Sequence, residues 1–130
     1  MIVLDASVVV ELLLHTADAP RIEERVFGSG DTLHVPHLLD VEVTHVVRRY
    51  VLAGDLRETR ATAALDLLAA MPLIRHPHTA MLPRIWALHQ NHTAYDATYI
   101  ALAEGLDATL LTRDARLARS RVRAARIDLL

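Results

Sequence analysis

"AYDATYIALAEGLDATLLTRD", residues 94–114, joins a helical pattern directly to a strand pattern. Apolar and small residues recur at helical spacing through its first half and stop at Gly105. "ATLLT" follows at 108–112, short, apolar and β-prone, and reads as a buried strand. A helix thus runs directly into a strand, with Asp96 near the helix start and Asp114 just past the strand end. The first residues, "MIVLD", have a similar form: an apolar strand closed by Asp5, then "SVVVELLL", a helix with Ser7 placed to cap it. Between these ends, "APRIEERVFGSG" reads as a helix, "TLHVP" as a strand, "HLLDVEVTHVVRRYVLAG" as a helix, 55–71 as another, "PLIRHP" as a strand and 79–90 as a helix. "DARLARS" reads as a short helix and "RIDLL" as a last strand. Such alternation predicts one α/β domain over 1–130, a three-layer α/β/α sandwich with a mainly parallel central sheet.

Composition removes several kinds of chemistry. The 130 residues are 52% hydrophobic, enough to bury a core, and contain no cysteine. Disulfides, thiolate catalysis and cysteine-type zinc sites are excluded, which fits a reducing cytoplasm. The first arginine is Arg21, so no basic leader and no secretory signal are expected. The apolar run from Val8 to Leu14 is broken by Glu11 and is too short to span a bilayer. No lysine occurs, which excludes a receiver-type phosphoacceptor site needing one. A dehalogenase-type phosphatase wants a second aspartate two residues after the first, where Ser7 stands. The net charge of −2 is uneven: residues 1–100 carry twelve acids and eight arginines, residues 101–130 four acids and six arginines.

In an open parallel sheet, ligands bind beyond the carboxyl ends of the strands, where strand order reverses. If the first strand and the "TLLT" strand are neighbours, Asp5, Asp96 and Asp114 approach one another at one sheet edge. Each acid also has an ordinary explanation. Thr93 and Asp96 could form a capping box, Asp114 could cap "DARLAR", and Asp5 could end a strand before a turn. Glu42 shares a helix face with Leu38, Leu39 and Val46, an unusual place for a surface glutamate. Together the acids make a demand: two carboxylates about 4 Å apart repel by about 4 kcal/mol at an effective dielectric of about 20. Such a cluster needs protons or a cation, and oxygen donors without thiols favour Mg²⁺ or Mn²⁺.

"VLDASVVVELL", "VPHLLDVEVTHVVRR", "TAYDATYIALAE" and "LLTRDARLAR" resemble, in order and spacing, the blocks of PIN-domain ribonucleases, and most nearly the VapC toxins of bacterial toxin–antitoxin pairs. The resemblance spans essentially the whole chain. It implies Mg²⁺- or Mn²⁺-dependent cleavage of RNA, inhibition by a small cognate antitoxin and a homodimer. By position it makes Asp5, Glu42, Asp96 and Asp114 the catalytic acids, with Asp5, Asp96 and Asp114 as metal ligands. Ser7, Thr112 and Asn91 match supporting polar positions around them. Arg113 is a departure, since relatives often have an apolar residue there.

Arg113, Arg116 and Arg119 recur at helical spacing and are expected to form a stripe contacting RNA phosphate, with a solvated face as the ordinary reading. Trp86, Tyr95 and Tyr99 are either core residues or base-stacking groups, Tyr95 being the best candidate for the latter. The His34/His37 and His89/His92 pairs have ligand spacing but no cysteines or matching pair to complete a zinc site. The competing functional reading is a PIN-like module that binds RNA or a protein without cutting. Metal-dependent cleavage that stops on chelation separates the two.

Overall fold

The structure is a computed structural model that describes residues 1–120, 122 and 125–130. Five strands form one sheet: β1 (Ile2–Leu4), β2 (Leu33–Pro36), β3 (Leu73–His76), β4 (Thr109–Thr112) and β5 (Arg126–Leu129). Their order is β3-β2-β1-β4-β5, and every pairing is parallel. The expected α/β architecture is therefore present, with a sheet wholly rather than mainly parallel. Val3, Leu4, Val35, Leu110 and Leu111 are fully buried, which accounts for the near-continuous apolar runs of the central strands.

Helices α1 (Ala6–Leu14), α2 (Ala19–Phe27), α3 (Leu38–Leu52) and α4 (Glu58–Ala70) pack against one another in one group. Helices α5 (Leu82–Ala87) and α6 (Ala94–Gly105) pack together in another, with α6 lying on β1, β2 and β4. A four-residue helix α7 (Ala115–Ala118) follows β4. The helix expected over 79–90 is a 3₁₀ turn, Thr79–Met81, followed by the short α5, because Pro83 restarts the helical backbone at its second position. Helix α6 buries every residue from Ala97 to Ala103. Small alanines let it lie close to the sheet, and that fixes the position of its first turn.

The sequence passes from β1 outward through β2 to β3, then returns across the sheet to β4, beside β1. Strand order reverses between β1 and β4. That pair is in register from Ile2–Thr109 to Leu4–Leu111, and the Asp5 amide extends it by donating to Leu111 O at 3.0 Å. Asp40, in the first turn of α3, takes a bidentate pair from Arg75 of β3 at 2.8 and 3.0 Å. Arg75 also donates to Leu68 O, so one guanidinium ties α3, α4 and β3 together.

Central and peripheral apolar positions are expected to differ sharply. Leu110→Ala, in β4, should cost about 2–5 kcal/mol through lost transfer energy and a cavity. Leu52→Ala, at a side chain 69% exposed, should change stability by about 0.5 kcal/mol or less. Urea denaturation of the two variants measures the difference.

Candidate active site

Asp5 stands where β1 hands over to α1, and its carboxylate is held from three sides. Oδ1 accepts from the Ala6 amide at 2.9 Å, while Oδ2 accepts from Ser7 Oγ at 2.5 Å and Thr112 Oγ1 at 2.8 Å. Ser7 was expected to cap α1, but the cap is Asp5. Ser7 lies one residue too far into the helix, so its hydroxyl turns back to Asp5 and accepts from the Arg113 amide at 2.9 Å. Thr112 Oγ1 likewise accepts from the Asp114 amide at 3.0 Å. Two hydroxyls thereby lock the end of β1 to the end of β4.

Asp96 lies in the first turn of α6, and the capping box forms only in half. Thr93 Oγ1 accepts from the Asp96 amide at 3.1 Å, while the Asp96 carboxylate is directed to Arg116 at 2.7 Å. Asp114 divides its oxygens: Oδ1 caps α7 by accepting from the Arg116 and Leu117 amides, and Oδ2 is 3.3 Å from Arg116 Nη2. Glu42 reaches in from α3 and accepts a hydrogen bond from the Tyr99 hydroxyl. All four acids line one cavity of about 590 Å³, together with Ser7, Leu38, Val41, His45, Val46, Arg49 and Tyr95.

Electrostatics records the crowding. Burial raises the Asp5 pKa, the Ser7, Thr112 and Ala6 hydrogen bonds only partly offset it, and the Asp96 charge adds to the rise. Burial also raises Glu42, Tyr99 counters it, and the charges of Asp5 and Asp96 raise it further. Tyr99 is itself pushed far up by burial and by Glu42, so it stays a phenol and a donor at any physiological pH. Arg116 supplies the positive charge, bridging Asp96 and Asp114.

The remaining sequence-predicted residues divide. Asn91 is exposed and does not line the acidic cavity; it shares the neighbouring one with His92, Arg116, Arg119 and Ser120. The arginine stripe does not form as expected. Arg113 precedes α7 and turns away to Asp18 at 2.6 Å, Glu11 at 3.8 Å and Leu130 O at 3.2 Å, while Arg116 and Arg119 stay together. Of the other arginines of that segment, Arg126 pairs with Asp107 at 3.2 Å, and Arg121 and Arg123 lie outside the described residues. The sequence reading missed Tyr99 as the partner of Glu42, and it missed His45 and Arg49 as cavity residues. The signals were available: Tyr99 follows Asp96 by three positions, and His45 and Arg49 follow Glu42 by three and seven, all helical repeats of one face.

The donor set consists of carboxylate oxygens with no thiol, which suits a hard divalent cation, and the Arg116 guanidinium already serves two of these acids as a cation. Among the described residues, no three histidine or acidic side chains converge closely enough to ligate one ion as they stand.

The raised Asp5 pKa has a defined sign for stability. The folded state keeps the Asp5 proton to higher pH than the unfolded chain, so stability falls as pH climbs from the unfolded value, near 3.8, through the folded one. Asp5→Asn removes this loss while keeping an oxygen for the Ala6 amide. In EDTA at pH 7 the variant is expected to melt at or above the wild type, and the gap should close toward pH 3. Paired thermal melts across this range check it; a variant less stable at every pH would contradict it.

A protein-family model described as "PIN domain" matches residues 2–122. Ribonuclease VapC1 of Mycobacterium tuberculosis is 44% identical over 117 residues, spanning 89% of this chain and 87% of that protein. Ribonuclease VapC12 of the same organism is 37% identical over 129 residues, 99% of this chain and 98% of that protein. Among solved structures, a chain of VapBC2 from Rickettsia felis, bound to a DNA fragment from their promoter, is alike in fold, with a TM-score of 0.70 at 15% identity. That likeness covers 99% of this chain and 98% of the other. Four acids gathered at the strand-order switch, a family model spanning most of the length and relatives at this identity have one conclusion: the chain belongs to the PIN domain family.

Proposed function

We propose that the protein is a divalent-metal-dependent endoribonuclease, the toxin of a toxin–antitoxin pair. One observation carries this reading. Four carboxylates from β1, α3, α6 and the β4–α7 turn line a single cavity, in a chain closely similar to proteins named ribonucleases.

Asp5, Asp96 and Asp114 would hold the cation. When bound, Mg²⁺ or Mn²⁺ lowers the pKa of water beside it and neutralises charge developing on the phosphate. Ser7 and Thr112 orient Asp5 through its Oδ2, as supporting hydrogen bonds do for ligands generally. Glu42 is the fourth carboxylate beside the reacting phosphate, and Tyr99 occupies one of its oxygens and so fixes which one faces the cavity. Arg116 and Arg119 face the adjoining cavity and would receive RNA phosphate. No side-chain nucleophile is required, which suits a chain without cysteine or lysine.

The solved VapBC2 assembly supports a protein partner for this chain, a cognate antitoxin. In this reading an arginine of the antitoxin can pair with the acids as Arg116 does here, and thereby exclude the metal.

The purified protein is expected to cut RNA with Mn²⁺ and to stop on addition of EDTA; Asp96→Asn and Glu42→Gln are expected to be inactive while remaining folded. Cleavage that survives chelation, or an active Asp96→Asn, would overturn the metal-dependent reading. A second expectation concerns Arg116 alone. Arg116→Ala removes an internal competitor for Asp96 and Asp114, so Mn²⁺ should bind severalfold more tightly by calorimetry. RNA should bind more weakly, with a salt slope reduced by about 1. Weaker Mn²⁺ binding would mean that Arg116 organises the acids rather than competing for them.

A further inference from the structure

Three cavities lie in series on this side of the protein. Arg116 bridges two acids of the first and also lines the second, which contains Asn91, His92, Arg119 and Ser120 and measures about 380 Å³. His92 lines both the second cavity and a third, of about 510 Å³, with Leu82, Ile85, Trp86 and His89. Trp86 is the only tryptophan of the chain, and 70% of it is exposed. Helix α5 turns Ile85 inward at 9% exposure and Trp86 outward, so Trp86 is not a core residue. The indole lies parallel to the His89 ring, with centroids 4.3 Å apart and an interplanar angle of 6°. The imidazole is steadied by a contact of 2.6 Å between His89 Nδ1 and Trp86 O.

We infer that this series is the track for single-stranded RNA on one side of the scissile phosphate. Arg116 and Arg119 contact the backbone, and Trp86 stacks on a base beyond them. Single-strand grooves combine cations along the backbone with aromatic faces for the bases. Two arginines line the middle cavity, with no carboxylate in its lining, and Arg116 reaches from it to the acids. Arg119 forms no ion pair among the described residues. A duplex holds its bases inside, so its base faces are not offered to Trp86, and the track selects unpaired RNA. The inference rests on the ribonuclease reading for its starting point at the acids. It adds a residue, distant from the chemistry, that sets substrate affinity.

Because Trp86 is the sole tryptophan, its fluorescence reports the contact directly. The wild-type protein in EDTA is titrated with an uncleaved single-stranded RNA octanucleotide, with a duplex of the same length, and with inorganic polyphosphate. The single strand should quench the emission, while duplex and polyphosphate should leave it nearly unchanged. Trp86→Ala should weaken single-strand binding roughly tenfold to a hundredfold at an unchanged melting temperature, and Trp86→Phe should restore most of it. With Mn²⁺, Trp86→Ala should cut a long single strand with raised KM, and Trp86→Phe should bring the KM back toward the wild-type value. Single-stranded RNA that binds without quenching, or a Trp86→Ala protein that binds it normally, would overturn the track. Quenching by an amphipathic helical peptide but not by RNA would assign this face to a protein partner and overturn it equally. Quenching by RNA in a protein that never cuts RNA would leave the track standing and remove the ribonuclease reading.

Discussion

Carboxylates that repel one another must be held together, and much of the local structure around β1 and β4 follows from that requirement. Asp5 and Glu42 are both shifted toward the protonated form by burial, and each feels the charge of Asp96. The fold opposes the resulting spread with four devices of different kinds. Ser7 and Thr112 donate to Asp5, Tyr99 donates to Glu42, backbone amides of α7 hold Asp114, and Arg116 bridges Asp96 to Asp114. Only the last is readily reversible, since the Arg116 side chain is 62% exposed whereas Thr112 and Tyr99 are buried. The acidic cavity is therefore rigid on the Asp5–Glu42 side and adjustable on the Asp96–Asp114 side.

The sheet topology makes this convergence possible. Reversal of strand order between β1 and β4 leaves a crevice past their carboxyl ends, from which α1 and α7 start. Asp5 and Asp114 then follow from strand length alone, one and two residues past their strands. Asp96 depends on α6, whose alanines seat it against the sheet, and Glu42 depends on α3. A substitution that shifts α6 would thus displace Asp96 and loosen Tyr99 from Glu42 at once.

The order of the elements and the positions of the acids were legible because both rest on short-range rules. Hydrophobic period separates "MIVL" and "TLLT" from the helices, and an acid just past each strand stands at the sheet edge even where, as for Asp5 and Asp114, it also caps the next helix. Side-chain partnerships were not legible, because they join residues far apart in sequence. Tyr99 and Glu42 are 57 positions apart, Arg75 and Asp40 are 35, and Arg113 and Asp18 are 95. Helical spacing suggested a stripe of Arg113, Arg116 and Arg119, but α7 begins only at Ala115, so the spacing had no helix to act on at Arg113. The assignment of the α1 cap to Ser7 failed for a subtler reason. Both Asp5 and Ser7 are good capping residues, but α1 starts at Ala6, directly after the strand, which leaves Ser7 inside its first turn and the cap to Asp5.

The proposed cation site at Asp5, Asp96 and Asp114 requires Arg116, which bridges two of these acids, to move away when an ion binds. Crystals soaked in Mn²⁺ test it most directly, through the anomalous scattering of manganese. A peak is expected between Asp5, Asp96 and Asp114, with the Arg116 guanidinium moved off both aspartates. A map with no manganese at these acids, or with manganese bound while Arg116 still bridges Asp96 and Asp114, would contradict it.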